Sequence, residues 1–294
     1  MTLLLDPRND YIFKRIFGSE NNKDVLLAFL NHTFMEAGEP LLTEIVLMNP
    51  YTDKDAPRDK QSILDILAKT TDGELINVEM QLFNKYDIEK RTLYYWGKQY
   101  LSQLQEGQTY SLLKKCVTIN ILNYSFLPND RYHNVFHLRE DHTHIPLIDD
   151  IEIHFLELPK LAHHSIPVEG GLVNWMLFLR GVDRSNWEVL KLNEPMLKKA
   201  MDTLEFLSQD EETRRMYEDR QKFLHDEASM IEGARSEGRS EGRSEGRSEG
   251  EGIGRYNEKI ELAKNLLNKG MEAPFVMEVT GLSKEDIEKL TKMH

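Results

Sequence analysis

Three residues carry the types and spacing that could do chemistry: Asp65, Glu79 and Gln81. Asp65 interrupts the apolar run Ile63-Leu64-Asp65-Ile66-Leu67-Ala68, and Glu79 stands between Val78 and Met80. A carboxylate inside an apolar strand costs several kcal/mol of desolvation unless it is paired or bound to a metal. The two-residue step from Glu79 to Gln81 keeps both on one face of a strand, while Val78, Met80 and Leu82 point to the other. If a short hairpin joins the two strands, Asp65 and Glu79 lie side by side with Gln81 one step along. Carboxylates brought that close repel unless a cation sits between them, and oxygen ligands of this kind suit Mg2+ or Mn2+. Such an ion polarises a phosphate and lowers the pKa of an attacking water. Gln81 orients by hydrogen bonding and cannot serve as a general base, because an amide takes up no proton at neutral pH. The plain alternative is an ion pair of either acid with Lys69 or Arg91, or exposure at a strand edge.

Stepping outward from the acids, the elements that must position them follow from periodicity. Leu26, Leu27, Leu30 and Phe34 recur at helical spacing over residues 24–37, after a shorter helical stretch with Phe13, Ile16 and Phe17. Residues 44–48 read as a short strand, followed by a polar loop to Lys60. Residues 63–68 are apolar on both faces, as in a covered central strand, and Thr71-Asp72-Gly73 supplies a turn into residues 75–82, which alternate with period two. Residues 86–105 form a long helix rich in Tyr and Gln, and 116–124 another apolar strand. Two further strands, 135–138 and 151–156, precede a helical region that runs from Trp175 to about Met230. The predicted core is α/β, helix–three strands–helix–strand with a mixed central sheet, followed by a helical C-terminal region.

An Asp on the second strand of such a core, then Glu-x-Gln on the third, resembles the PD-(D/E)XK nuclease superfamily, and more narrowly the bacterial recombination-promoting nuclease and transposase-like family. The resemblance is carried by Asp10-Tyr11-Ile12-Phe13-Lys14-Arg15-Ile16-Phe17-Gly18, Asn77-Val78-Glu79-Met80-Gln81, Arg91-Thr92-Leu93-Tyr94-Tyr95 and Cys116-Val117-Thr118-Ile119-Asn120-Ile121-Leu122. It implies a restriction-endonuclease-like αβββαβ core and a metal-dependent DNA endonuclease linked to recombination or transposition. It also implies metal ligands at Asp65 and Glu79, with Gln81 where the superfamily usually has Lys. Leu64 stands where a Pro often precedes the motif Asp. Asp10 matches an acid of the first helix and is an accessory candidate.

Weaker candidates surround this set. Tyr95 and Gln99, one turn apart, share a helix face on which related nucleases place site-contacting groups; core packing is the commoner use. Arg58 and Lys60 are candidates for gripping the DNA backbone, although loop cations are usually just solvated. His133, His137, His142 and His144 invite a zinc reading, but their spacing matches no recognised zinc pattern.

Residues 235–250 repeat Arg-Ser-Glu-Gly four times. In a helix this stacks Glu over Glu and Arg over Arg at i,i+4, which is unfavourable, and each Gly costs roughly 1 kcal/mol against Ala. The repeat is therefore either a flexible linker or a helix paired with a second chain through its glycine stripe. Beyond it, Ile260, Ala263, Leu266 and Leu267 make one apolar stripe, and Ser283 caps a final helix. This tail resembles a small helix-turn-helix. A DNA-reading version needs a basic last helix, whereas Lys284, Lys289 and Lys292 here compete with Glu285, Asp286 and Glu288, so a tail or oligomerisation module is the better reading. The expected organisation is a nuclease-like domain over 1–160, a helical extension over 161–232, the repeat over 233–255 and a helical tail over 256–294, with a homo-oligomer formed through the C-terminal helical region.

Composition bounds these readings. The chain has 294 residues, 40% of them hydrophobic, with 12 Phe, 11 Tyr and 3 Trp, enough for a packed core. The net charge of -13 excludes a general DNA coat, because neutralising phosphates needs Lys and Arg; DNA contact must come from a local basic patch. The single cysteine, Cys116, allows no internal disulfide or all-Cys metal site and fits a reducing cytoplasm. The apolar start is too short for a signal peptide, and no run reaches the ~18 apolar residues of a membrane span. The expectation is a cytoplasmic DNA endonuclease, with a catalytically inactive nucleic-acid-binding or protein-interaction module of the same fold as the alternative.

Overall fold

The computed structural model describes residues 3–48, 65–84, 87–161, 170–181 and 184–292. The expected contacts of Arg58 and Lys60 lie outside the described residues, as does the start of the strand expected from residue 63. The chain divides into two compact units, Met1–Asp226 and Glu227–His294.

In the first unit the elements run α1 (Asp10–Phe17), α2 (Lys23–Ala37), β1 (Ile45–Leu47), β2 (Ile66–Thr70), β3 (Leu75–Gln81), α3 (Ile88–Leu101), β4 (Cys116–Leu122), β5 (His133–His137), β6 (Ile151–Glu157), α4 (Leu172–Arg180), α5 (Arg184–Asn193) and α6 (Pro195–Gln209). The long helix α7 (Glu211–Asn268) follows, then α8 (Ala273–Thr280) and α9 (Lys284–Lys292). Among the described residues the strands form one sheet in the order β1-β2-β3-β4-β6-β5. β1 and β2 are each antiparallel to the next strand, β3, β4 and β6 are mutually parallel, and β5 returns antiparallel on the edge. A parallel β3–β4 pair needs a crossover, and α3 supplies it. The sheet is mixed and the αβββαβ order is present, as the sequence implied.

β3 is buried along its whole length, and its alternation sorts two chemistries. Ile76, Val78 and Met80 join Val117, Ile119 and Ile121 of β4 in the main core, against Phe13 and Phe17 of α1, Phe29 of α2 and Trp175 of α4. Asn77, Glu79 and Gln81 therefore face the side covered by α3, where Thr92 donates to Asn120 at 3.2 Å and Trp96 to the Cys116 carbonyl at 3.0 Å. Gly73, at φ +90°, makes the tight β2–β3 turn in a region that favours glycine.

The start of α1 is set by Asn9, whose side chain accepts the N–H groups of Tyr11 and Ile12, the usual work of an N-cap. Its end is set by contact. A Cβ at Gly18 would lie 2.9 Å from the Lys14 carbonyl and 3.3 Å from Ile66 Cγ1, so glycine lets the last turn close directly on β2. That approach brings Lys14 to the entrance of β2.

In the second unit, Ala263, Val276, Leu282, Ile287 and Leu290 form a small core. Ser283 caps α9 as expected: its hydroxyl accepts the Asp286 N–H at 3.2 Å and donates to the Asp286 carboxylate at 2.6 Å. Residues 235–250 lie within α7 and are exposed throughout. An ion pair forms where the four-residue spacing breaks, Arg247 to Glu251 at 3.0 Å.

Candidate active site

Asp65 immediately precedes β2, one residue beyond Ile66, which pairs with Val78. Extending that antiparallel register by one residue sets Asp65 opposite Glu79, and residues directly opposite share a face. The sequence reading put Asp65 in mid-strand; it stands instead at the strand's entrance, where its side chain is 11% exposed. Asp65 Oδ2 accepts the Met80 N–H at 2.9 Å, which locks the carboxylate onto β3. The Asp65 backbone N–H in turn bonds the Glu79 carboxylate. Glu79 also accepts from Asn77 Nδ2 on Oε1 and from Gln81 Nε2 on Oε2, each at 3.3 Å.

The electrostatics follow from this crowding. Burial pushes the Glu79 carboxyl up, the neighbouring Asp65 charge pushes it further, and Arg91 offsets only part, leaving it at about 8. Asp65 is also raised, by burial first, against the opposing charge of Lys14 and the Met80 hydrogen bond. Among the described residues each acid has one cation beside it: Lys14 Nζ is 3.1 Å from Asp65 Oδ1, and Arg91 Nη2 is 4.0 Å from Glu79 Oε2. The ion-pair alternative is therefore met in part, by Arg91 for Glu79, while Asp65 finds Lys14.

The outer candidates separate. Asp10 lies close enough for its charge to raise Asp65, but its carboxylate is held by Arg220 of α7 at 2.6 and 2.8 Å. Tyr95 reaches the site only through Arg91, whose guanidinium lies 5.6 Å over its ring. Gln99 is not brought to the acids. It lies on α3 between Trp96 and Gln103, both bonded at Cys116 at the start of β4, and is buried with neither amide atom hydrogen-bonded.

Lys14 and Arg220 were not singled out by sequence. A signal for Lys14 existed: it stands four residues after Asp10, on the same helix face, within the stretch that carries the family resemblance. Arg220 had none, because its partner is distant in the chain.

The donor set fits a divalent ion. Two carboxylates from adjacent strands share one face, both are held above the usual carboxylate range, and the side-chain amides of Asn77 and Gln81 and the cations Lys14 and Arg91 stand beside them. Paired carboxylate oxygens of this kind suit Mg2+ or Mn2+.

A second acid–histidine group lies on the other face of the sheet, where ligand atoms of Glu39, His137 and Glu152 fall within 4.8 Å of one another. Lys115 already occupies it, with its ammonium 2.5 Å from Glu152, 2.8 Å from Asp149 and 3.6 Å from Glu39. His133 is spent on His154 at 2.9 Å and Glu36 at 3.3 Å. Of the four histidines weighed as zinc ligands, His133 and His137 join this group of charged and polar side chains, while His142 and His144 are exposed.

No curated protein and no solved structure matches the chain significantly. The family described as Rpn/YhgA-like nuclease family, C-terminal HTH domain, matches residues 257–292, the tail whose sequence resembles a small helix-turn-helix. The family described as PD-(D/E)XK nuclease family transposase matches residues 7–234. That span covers most of the chain and all of the sheet with its paired acids, and the protein belongs to this nuclease family.

Proposed function

We propose that this protein is a divalent-metal-dependent DNA endonuclease acting in recombination or transposition. The observation that carries the reading is the pairing of Asp65 and Glu79 across adjacent strands, with Asp65 bonded to the Met80 N–H and its own N–H bonded to the Glu79 carboxylate; burial first, and the Asp65 charge second, push the Glu79 carboxyl up to about 8. Asp65 and Glu79 would hold the ion. When bound, a divalent ion polarises the scissile phosphate and eases deprotonation of the attacking water.

The chain's own groups supply the rest. The Met80 N–H and the Asp65 N–H fix the two carboxylates before substrate arrives, which lowers the reorganisation needed at the moment of reaction. Gln81 holds Glu79 through its amide N–H and orients a water or a phosphate oxygen. Asp10 and Arg220 border the site as an ion pair, and Tyr95 steadies Arg91. Arg58 and Lys60 remain proposed contacts to the DNA backbone.

The test is cleavage of supercoiled plasmid with Mg2+ or Mn2+ by the wild type, Asp65→Asn and Glu79→Gln. Losing one ligand of several kcal/mol in the transition state lowers the rate by at least ~100-fold. Equal cleavage by all three proteins would remove the catalytic assignment. The second reading, a binding module that keeps the fold without turnover, is favoured by Gln81 and by the internal cations beside both acids. It gains if the wild type binds DNA and cleaves none with either metal.

A further inference from the structure

The site holds two acids and, at position 81, an amide whose N–H groups include one committed to Glu79. A phosphodiester brings a further negative charge and builds more as it is attacked, so a site of this composition needs a positive group that does not come from β3. Among the described residues two side chains are placed to supply it. Arg91 is held over the Tyr95 ring and stands 4.0 Å from Glu79. Lys14 touches Asp65 directly at 3.1 Å, and its side chain is 35% exposed where the Asp65 side chain is 11% exposed. Solvent, and hence a substrate, meets Asp65 beside this ammonium.

The placement of Lys14 is rigid at its root. Phe13, Ile16 and Phe17 around it are fully buried, and Gly18 seats the end of α1 against Ile66, the residue next to Asp65. The backbone thus fixes Lys14 at the entrance of β2, while the flexible stem leaves the ammonium free to turn from a carboxylate oxygen to a phosphate oxygen. The other Asp65 oxygen stays held by Met80.

We infer that Lys14 is a catalytic residue of this site, its ammonium contacting a non-bridging oxygen of the scissile phosphate and stabilising the charge that develops there. The inference rests on the nuclease reading. The role is electrostatic: Lys14 gives up no proton and forms no bond.

The experiment compares wild type, Lys14→Met and Lys14→Arg in three readouts. Cleavage is measured over a full Mg2+ titration, so that maximal rate and metal half-saturation separate. Lys14→Met is expected to lower the maximal rate by about 10²–10³-fold, with Lys14→Arg recovering part of it. Mn2+ binding without DNA is expected to be as tight in Lys14→Met as in wild type or tighter, since a cation beside a ligand oxygen has gone. Binding of a short duplex in Ca2+ should show a salt dependence shallower by about 0.9, one phosphate contact.

If Lys14 merely neutralises Asp65, Lys14→Met regains the wild-type maximal rate at saturating Mg2+ and keeps the salt slope. That result overturns the inference and leaves the nuclease reading standing. Absence of cleavage by the wild type with any metal overturns both. Should Lys14→Met fail to fold, Lys14→Gln, which still offers Asp65 a donor, carries the same comparison.

Discussion

Strong opposing forces meet on Glu79. Its carboxylate is buried, faces Asp65, and receives only amide N–H groups and a guanidinium 4.0 Å away. In the unfolded chain the same group titrates near 4.5; in the folded protein it titrates at about 8. Between those values the folded state holds a proton that the unfolded state has lost, so this group's contribution to stability falls as pH rises through the window. The metal-free wild type should therefore lose melting temperature from about pH 5 to about pH 8 relative to Glu79→Gln, whose curve stays flatter. Thermal melts in chelator across that range check it, and parallel curves would exclude the strained carboxyl. Cys116 shows the same burial effect without function: its thiol is raised to about 12, which leaves it un-ionised and inert.

Elements act here by bringing charged groups to places their own sequences would not allow. β6 carries Glu152 and His154 on the side that packs into the core, fully buried against α2. Burial works to raise the Glu152 carboxyl, but His154 and Lys115 outweigh it and hold it at about 2. Lys115 stands at the entrance of β4, with its side chain 12% exposed. Replacing it by Met leaves Glu152 ionised and buried with one cation fewer, which should cost about 3–5 kcal/mol. Urea denaturation at neutral pH measures that loss. A change within the ~0.5 kcal/mol typical of surface substitutions would mean that the pair is solvated and not structural.

For the whole molecule, the net charge of -13 makes DNA contact a local matter. Among the described residues, Lys14, Arg91 and Arg220 each stand beside one of the acids Asp65, Glu79 and Asp10, so the cations a phosphate could meet lie at the site itself. The repeat within α7 has its glycines at four-residue spacing and its like charges stacked, an arrangement poor for a lone helix. Pairing with a second chain, Arg facing Glu, offsets that penalty, and we propose that this chain forms a homo-oligomer through the repeat. Light scattering should then give a multiple of the chain mass for the full protein and a single chain mass when it ends before Arg235. An unchanged association state in the shortened chain excludes the repeat as the assembling element.

Alternation in residues 75–81 and the anomaly of acids in apolar surroundings were enough, from sequence alone, to single out Asp65, Glu79 and Gln81 as the candidate site. Those are local signals: side chains two apart in a strand share a face whatever the rest of the chain does. What only the tertiary structure decided is who neutralises these acids and who does not reach them. Lys14, Arg91 and Arg220 arrive from three different helices, Gln99 stays buried on α3 bonded to neither acid, and Lys115 closes on Glu152 from the entrance of β4. These pairings join residues far apart in the chain, set by packing of helices on strands, and no local periodicity encodes them.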